Sequence, residues 1–592
     1  MNNSFPTTSE QIEKRVLSNI GVTREEFDKW NTAEYSVDKD TVDMMKALIE
    51  HADKIRVFGD YDCDGTCASA IAYKGIKAVF NKETVVTLPR RFTDGYGINP
   101  KAVERMYEED KDLLSNGKNI LLITVDNGIA AYDALTKAKE YGYKVLVTDH
   151  HERGLKIPDV DLCIDPKVDG YNPFESPYYC GAGVIYKLLC QMTDNAELKD
   201  ELKQLAALAT VADVMPLFED NHKIVRETLS EMNEGHIIEP LRMLCDTKAI
   251  SPQFITEKTF GFEFGPCINA MSRLHDDGAM FAYNFLLHPA KEDAEIIVEN
   301  NELRKEIAKN ETAVINSEVT EDMIKADRPL ILYHPDLHEG MIGIIAGKIT
   351  ESTGLPSIVL TDDPENKEIV KGSARSIEGF NIVKYLQDIN AGNPDLFAGF
   401  GGHQGAAGLS VRREHLKDFI VAANHIEISM PSADERPDVP TPIYIRYDGI
   451  DKAYDTIRQF APYGEGNPDV NVTMVFNKFK DFPKLIGKDK DKIMINRKPV
   501  GKGASAIKVM VFDQDKIPDY PSLWVEGYLE KSDFAGEGTI MLKGSGLTPE
   551  MRKCRNNINT RTDEKDELQT EDDIYQQDDS VVDIEERNYN DD

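Results

Sequence analysis

Between residues 54 and 165 a short apolar run recurs, each time separated from the next by a polar or helical stretch. KIRVFGD (54–60), TVVTLP (84–89), NILLITVD (119–126), KVLVTD (144–149) and LCID (162–165) read as strands, while segments such as TCASAIAYKGIKAVF and AAYDALTKAKEYG have a helical period. Strands alternating with helices predict a parallel sheet covered on both faces. Such sheets bind their ligands at the carboxyl ends of the strands. What stands at those ends therefore carries weight.

Three of the runs end in acidic or imidazole groups. GDYDCDG supplies Asp60, Asp62 and Asp64, VDNG supplies Asp126, and TDHH supplies Asp149, His150 and His151. Alternate residues of an extended segment share a face, so the D-x-D-x-D spacing can aim several carboxylates one way. Gly65 and Gly128 leave the backbone open beside them. Carboxylates gathered this closely repel, and a divalent cation relieves the repulsion. Oxygen-rich sites with one or two imidazoles suit Mn²⁺ or Mg²⁺ better than zinc. Two such ions about 3.5–4 Å apart would clamp a phosphodiester and activate a water. A single aspartate here would read as a strand-end cap. Groups of this kind at three separate strand ends do not.

The remainder divides by composition. Residues 1–45 predict short helices around VLSNI and REEFDKW, and 46–235 the first α/β lobe. The stretch from about 185 to 325 reads as helical, so 236–325 forms a connector that includes the long charged segment KEDAEIIVENNELRKEIAKNETAVINSEV. A second, smaller α/β lobe spans 326–430 and ends in the glycine-rich FAGFGGHQGAAGLS. Glycines there let backbone N–H groups approach a phosphate. Short strands over 438–548 predict a small barrel or sandwich. Residues 549–592 are acidic and poor in apolar side chains, which predicts disorder.

MNNSFPTTSEQIEKR has no apolar core of a secretory signal, and no run of about 18 apolar residues occurs, so no membrane span is expected. The eight cysteines form no C-x-x-C pair, which argues against a zinc ribbon and suits a reducing cytoplasm.

Asp-His-His after a strand, preceded by D-x-D and V-D-N-G, resembles the DHH phosphoesterase superfamily. RRFTDGYGIN (90–99), LATVADVMPLFEDN (208–221), GPCINAMSRL (265–274), HEGMIGIIAGKI (338–349), KGSARSIEGFN (371–381), GFGGHQGAAGL (399–409) and FAPYGEGNP (460–468) resemble, in this order, the RecJ single-strand exonucleases. The resemblance implies two lobes, DHH and DHHA1, across a metal-bearing cleft, joined by a long helix, with an OB-like β-barrel attached. It implies a 5′→3′ exonuclease that hydrolyses single-stranded DNA to mononucleotides with two Mn²⁺ or Mg²⁺ ions, in recombination or repair. Asp62 and Asp64 would each serve one metal, Asp126 would bridge both, His150 and Asp213 would complete the second site, and Asp60 would lie near the first. Asp149 would orient His150. His151 would contact the scissile phosphate. Ser373, Arg375 and His403 match phosphate-binding positions, and Asn269 and Arg273 would line the same cleft. The family has Arg where Cys267 stands and Gly where Ser272 stands. Neither change touches an implied metal ligand. A monomer working with a single-strand-binding protein or a helicase fits the same resemblance.

Net charge runs against nucleic-acid binding. The chain carries −35, of which residues 550–592 hold 15 Asp/Glu against 6 Lys/Arg, or −9, leaving −26 elsewhere. One segment opposes this balance. Lys478 to Lys508 has ten Lys/Arg and three Asp, a net of +7. Within it Lys484, Lys488, Lys490, Lys492, Arg497, Lys498 and Lys502 are candidate contacts to single-stranded DNA, as on the basic groove of an OB fold. Arg90, Arg91 and Tyr96 would steer the strand at the cleft mouth. The rival readings are a DHH phosphodiesterase of short oligonucleotides, which would lack the third domain, and a replisome scaffold, which would have lost metal ligands.

Overall fold

The computed structural model describes residues 8–154, 156–431, 443–487, 490–499, 505–512, 514, 516–517, 522–531 and 538–548. The acidic tail, Lys488 and Lys502 lie outside the described residues.

The first sheet is parallel throughout. It comprises β1 (Lys54–Phe58), β2 (Thr84–Thr87), β3 (Ile120–Val125), β4 (Lys144–Thr148) and β5 (Leu162–Ile164), in the order β2-β1-β3-β4-β5. The central strand β3 is ILLITV and is buried along its whole length, as a strand covered on both faces must be. One face packs on the helix Cys63–Phe80, whose small side chains Ala68, Ala70 and Ala72 let it sit among Gly181–Cys190 and Ala196–Ala212. The other face is covered by Pro100–Ser115 and Tyr132–Glu140. Arg56 is buried on β1 and is ion-paired to the buried Asp110 of the helix Pro100–Ser115.

The helix Lys291–Glu318 is 28 residues long and leads to the second lobe, as the charged segment predicts. That lobe holds β6 (Leu330–Tyr333), β7 (Ser357–Asp362), β8 (Ile369–Arg375), β9 (Phe397–His403) and β10 (Ala406–Arg412), in the order β6-β7-β8-β10-β9. Only β6 and β7 are parallel; the β7–β8, β8–β10 and β10–β9 pairs are antiparallel.

The third region is strand-rich, as expected, but its pairings differ from a closed barrel. β11 (Ile443–Tyr444), β12 (Val472–Asn477), β13 (Lys484–Ile486), β14 (Lys492–Arg497), β15 (Ala506–Val511), β16 (Ser522–Glu530) and β17 (Thr539–Thr548) form one sheet in the order β11-β12-β16-β17-β15-β14-β13. Among the described residues no pairing joins β11 to β13. The two outermost strands are two and three residues long, too short to offer each other a ladder.

The N-terminal helices Ser9–Ile20 and Arg24–Thr32 pack away from the sequence they precede. Ile12, Val16, Leu17, Phe27 and Trp30 share one core with Ile457, Phe460 and the inner face of the third sheet. His222, from the first lobe's helix Glu219–Asn233, is wholly buried at this junction. Its Nδ1 lies 3.0 Å from Asn31 Oδ1 and its Nε2 3.3 Å from the Phe460 carbonyl. Phe27 and Trp30 flank its ring. No helix among the described residues is long and apolar enough to cross a membrane.

Burial pushes the His222 imidazole down to about 4 from its ordinary 6.5. The unfolded ring takes a proton near 6.5 while the folded ring stays neutral. The contribution to stability is therefore complete above about pH 6.5 and falls as the pH drops toward 4. Denaturant unfolding at about pH 7 and about pH 4.5 should show a loss of roughly 3 kcal/mol that His222→Gln largely removes.

Candidate metal centre and nucleic-acid cleft

Strand ends of the first sheet build the site. After β1 the chain turns into the helix Cys63–Phe80, and Asp62 caps it, its Oδ1 accepting from the Gly65 N–H at 3.0 Å. Asp64 lies in the first turn and is buried. Its oxygens accept from the N–H groups of Gly181 (2.7 Å) and Ala182 (2.8 Å), the opening amides of the helix Gly181–Cys190. A helix N-terminus thus holds this carboxylate. Asp126 follows β3 with φ +62, a left-handed conformation that Asp tolerates better than most side chains. Asp213 ends the helix Ala196–Ala212, and Val214 beyond it is forced to φ +55. A β-branched residue there is strained, as backbone at functional sites often is.

Two glycines permit this crowding. A Cβ on Gly65 would lie 2.6 Å from the Asp60 backbone, and one on Gly181 would lie 2.4 Å from Asp126 Cβ.

Three overlapping groups of ligand atoms result, each within 4.8 Å: Asp60, Asp62 and Asp126; Asp64, His150 and Asp213; Asp126, His150 and His151. His150 Nε2 lies 3.0 Å from Asp126 Oδ1, 3.6 Å from Asp64 Oδ2 and 3.7 Å from Asp213 Oδ2. Asp60 Oδ2, Asp126 Oδ1 and His150 Nδ1 are buried with no hydrogen-bond partner. Five aspartates, two of whose carboxylate oxygens are buried without a hydrogen-bond partner, and a neutral imidazole form a donor set that a pair of divalent cations satisfies. Burial and mutual repulsion raise Asp60 to about 8 and Asp64 to about 6, and raise Asp126 and Asp213 as well. Burial lowers His150, keeping it neutral.

Asp149 departs from its expected partner. Its Oδ1 lies 2.8 Å from His151 Nδ1 and accepts from the His150 backbone N–H, so the ring it orients is His151 and not His150. The two imidazoles stay adjacent, ring centres 4.4 Å apart and planes tilted by 58°, yet only His151 meets the Asp149 carboxylate with a ring nitrogen. Burial opposes ionisation of both partners, yet the contact holds Asp149 below the usual carboxylate range and lifts His151 to about 9. The Tyr96 hydroxyl lies 2.9 Å from His151 Nε2.

Facing this centre is a cationic wall. His403, at the end of β9, stacks on His151 with ring centres 5.6 Å apart and planes 17° apart. Arg375 Nη1 donates to Ser373 Oγ at 3.2 Å. Arg273 Nη1 donates to the Gly340 carbonyl at 3.3 Å, and burial first, then Arg91 and Arg375, lower it to about 9. Arg91 lies 4.4 Å over the Tyr61 ring. Neither Arg273 nor Arg375 has a carboxylate partner among the described residues. Asn269 serves a different end: its Oδ1 accepts from the Cys63 N–H at 2.7 Å and so fixes the start of the metal-bearing helix. Arg90 is turned to Asp94 at 3.3 Å.

Of the candidate DNA contacts in the third sheet, Lys484, Lys490, Lys492 and Lys498 are described, and Arg497 is engaged internally with Asp481 at 3.2 Å. Sequence reasoning missed Gly181 and Ala182, whose role as amide donors follows only from the fold. It also missed Tyr61, which stood inside GDYDCDG. Asp165, a buried carboxylate after β5, was legible as another strand-end acid but joins none of the three ligand groups.

Comparisons with known proteins match the two α/β lobes and the fold. Residues 54–212 match the DHH family, N-terminal domain, and 326–427 match the DHHA1 domain. The chain is 31% identical over 460 residues to a single-stranded-DNA-specific exonuclease RecJ of Bacillus subtilis, covering 76% of this chain and 56% of that protein. It is 31% identical to the Haemophilus influenzae counterpart, covering 64% and 67%, and 27% identical to that of Dickeya dadantii, covering 86% and 90%. The crystal structure of RecJ from Thermus thermophilus in complex with Mn²⁺ superposes with a TM-score of 0.69 at 24% identity, over 91% of this chain and 76% of that one. An exonuclease RecJ bound to manganese superposes at 0.54 with 27% identity, over 66% and 94%.

Gly181→Ala tests the crowding. Its Cβ would meet Asp126 Cβ at 2.4 Å and Oδ1 at 2.7 Å and so displace that carboxylate while every ligand keeps its chemical identity; calorimetric Mn²⁺ affinity should fall about ten- to a hundredfold while the far-ultraviolet circular dichroism stays unchanged.

Proposed function

Because the chain belongs to the RecJ family of DHH phosphoesterases, we propose that it is a 5′→3′ exonuclease that hydrolyses single-stranded DNA to mononucleotides. One observation carries this reading: five aspartates and His150 converge on a buried cluster with orphaned ligand atoms, opposite Arg273 and Arg375, which have no carboxylate partner among the described residues. A scaffold that had lost catalysis would not need to keep such repulsive groups together.

Asp60, Asp62 and Asp126 would hold one Mn²⁺ or Mg²⁺, and Asp64, His150 and Asp213 the second, with Asp126 between them. Bound there, the ions supply Lewis-acid polarisation of the phosphodiester and an acidified water. The chain's own residues do the rest. His151 is protonated at neutral pH because Asp149 holds its Nδ1. Its Nε2 side then donates toward the phosphate oxygens where charge develops. Tyr96 shares that side, so its hydroxyl moves from His151 to substrate or guards the ring until substrate arrives. Arg273, Arg375 and Arg91 take the phosphates of the strand, as planar guanidinium groups do well, with Ser373 and His403 beside them as uncharged hydrogen-bonding groups. The catalytic lobe is 46–235, the connector 236–325, the phosphate-binding lobe 326–430 and the strand-binding domain 438–548. The enzyme acts in the cytoplasm as a monomer in recombination or repair, on strands opened by a helicase or covered by a single-strand-binding protein.

Oligonucleotides labelled at the 5′ or the 3′ end, incubated with Mn²⁺, Mg²⁺ or EDTA, test this. The 5′ label should leave at once as a mononucleotide, only with metal, and Asp126→Ala should abolish release. Retention of the strand with neither label released would make the chain a binding module instead.

A further inference from the structure

The loop from Arg90 to Gly97 carries two side chains of the site, Arg91 and Tyr96, yet it belongs to no helix or strand. Backbone outside regular structure needs hydrogen-bond partners from elsewhere. Here one residue supplies them. Asp276 Oδ1 accepts from the Phe92 and Thr93 N–H groups at 2.8 and 3.1 Å, and its Oδ2 accepts from the Thr93 hydroxyl at 2.5 Å. The Asp276 carbonyl accepts from the Arg91 N–H at 3.3 Å.

The far end of the loop is fixed differently. The Gly97 N–H donates to Asp60 Oδ1 and the Ile98 N–H to Asn127 Oδ1, each at 3.2 Å. Between the two anchors Tyr96 is flanked by Gly95 at φ +80 and Gly97 at φ +63. Glycines in that conformation let the chain pivot, so the place of the Tyr96 ring depends on both anchors. Its hydroxyl lies 2.9 Å from His151 Nε2, and its ring meets Tyr61, over which Arg91 lies, edge-on.

Asp276 stands two residues past the helix Gly265–Leu274, which carries Arg273 and whose Asn269 fixes the Cys63 N–H. One element therefore sets the start of the metal-bearing helix, a guanidinium and the Arg90–Gly97 loop. Burial opposes the charge of Asp276, but the Thr93 hydroxyl and the two amides hold its carboxyl below the usual range, so both oxygens remain acceptors. What the tie secures is not core. From Arg90 to Tyr96 no residue is buried, and Tyr96 is 53% exposed. The tie fixes side chains that face the metal centre.

We propose that Asp276 is a positioning residue of the nuclease site: through the loop it sets Arg91 and Tyr96 to reach the phosphate beside His151, while itself touching neither metal nor strand. The role rests on the exonuclease reading and adds a residue to it.

The test uses the full chain, a single-stranded oligonucleotide and Mn²⁺. In Asp276→Ala, kcat/KM should fall about ten- to a hundredfold, the scale expected when a positioned group shifts by about 1 Å. Calorimetric Mn²⁺ affinity without substrate and the melting temperature should match the parent. Asp276→Asn keeps an acceptor for the amides and should fall between the two. Thr93→Val removes only the hydroxyl bond, so it should lose less and carries the same test with less risk to the fold. In the Arg91→Ala/Tyr96→Phe background, Asp276→Ala should lose nothing further, because its effect passes through those side chains. A full further loss in that background overturns the proposal. So does a fall in melting temperature or Mn²⁺ affinity that matches the loss of activity, which would make the tie structural. Parent kinetics in both Asp276→Ala and Thr93→Val also overturn it and leave the exonuclease reading standing. A parent chain that cleaves no single strand overturns the exonuclease reading, and the positioning role with it.

Discussion

Repulsion among buried carboxylates is the constraint around which this molecule is arranged. Asp60, Asp64 and Asp126 are each nearly inaccessible to water, and Asp62 and Asp213 stand close by. Without a cation, burial and mutual repulsion push Asp60, Asp64, Asp126 and Asp213 upward, against ionisation. Something must therefore hold them in place in the absence of metal. Three devices do so: parallel strands that end together, amides of a helix N-terminus that grip Asp64, and glycines at 65 and 181 that remove the Cβ atoms which would push the acids apart. The strained backbone at Asp126 and Val214 is the residue of this arrangement. Repulsion that the fold sustains is what gives a divalent ion its affinity.

The same logic separates the two imidazoles. Adjacent in sequence, they occupy opposite electrostatic settings. His150 faces aspartates that need a metal and is kept neutral by burial, the state in which it can donate a lone pair. His151 has a counter-ion in Asp149, whose contact favours the charged ring. One is suited to ligation and the other to stabilising negative charge. The second lobe then contributes His403, set on His151, and Arg375, and the connector adds Arg273; neither guanidinium has a carboxylate partner among the described residues.

Much of this was legible in the sequence because it is written locally. The strand runs, the acids at their ends and the long connecting helix each depend on residues within a few positions of one another. What the sequence concealed depends on distant chain segments meeting. Nothing near Gly181 says that its amide serves Asp64, more than a hundred positions earlier. Nothing in the first helices says that Phe27 and Trp30 belong to the core of the third sheet. Asn269 was expected to line the cleft because the family resemblance implies it, and Arg497 to contact DNA because it falls in the basic run. Each instead braces a turn, Asn269 the start of the metal-bearing helix and Arg497 the Asp481 turn. The barrel expectation followed strand count and spacing, which do not encode whether the last strand finds the first.

The acidity of the chain is not at odds with a polyanionic substrate once distance is considered. Charges beyond a Debye length, about 8 Å at physiological salt, are largely screened. A strand in the proposed cleft would meet guanidinium groups and bound cations at contact distance, and acidic groups beyond a Debye length would act on it only weakly. The negative body then acts chiefly on encounter. It discourages loose adsorption of nucleic acid everywhere except where guanidinium groups, lysines or bound cations reverse the sign. Local sign reversal on a repulsive background favours substrates able to reach a narrow site, and a single strand, thinner and more flexible than a duplex, meets that condition.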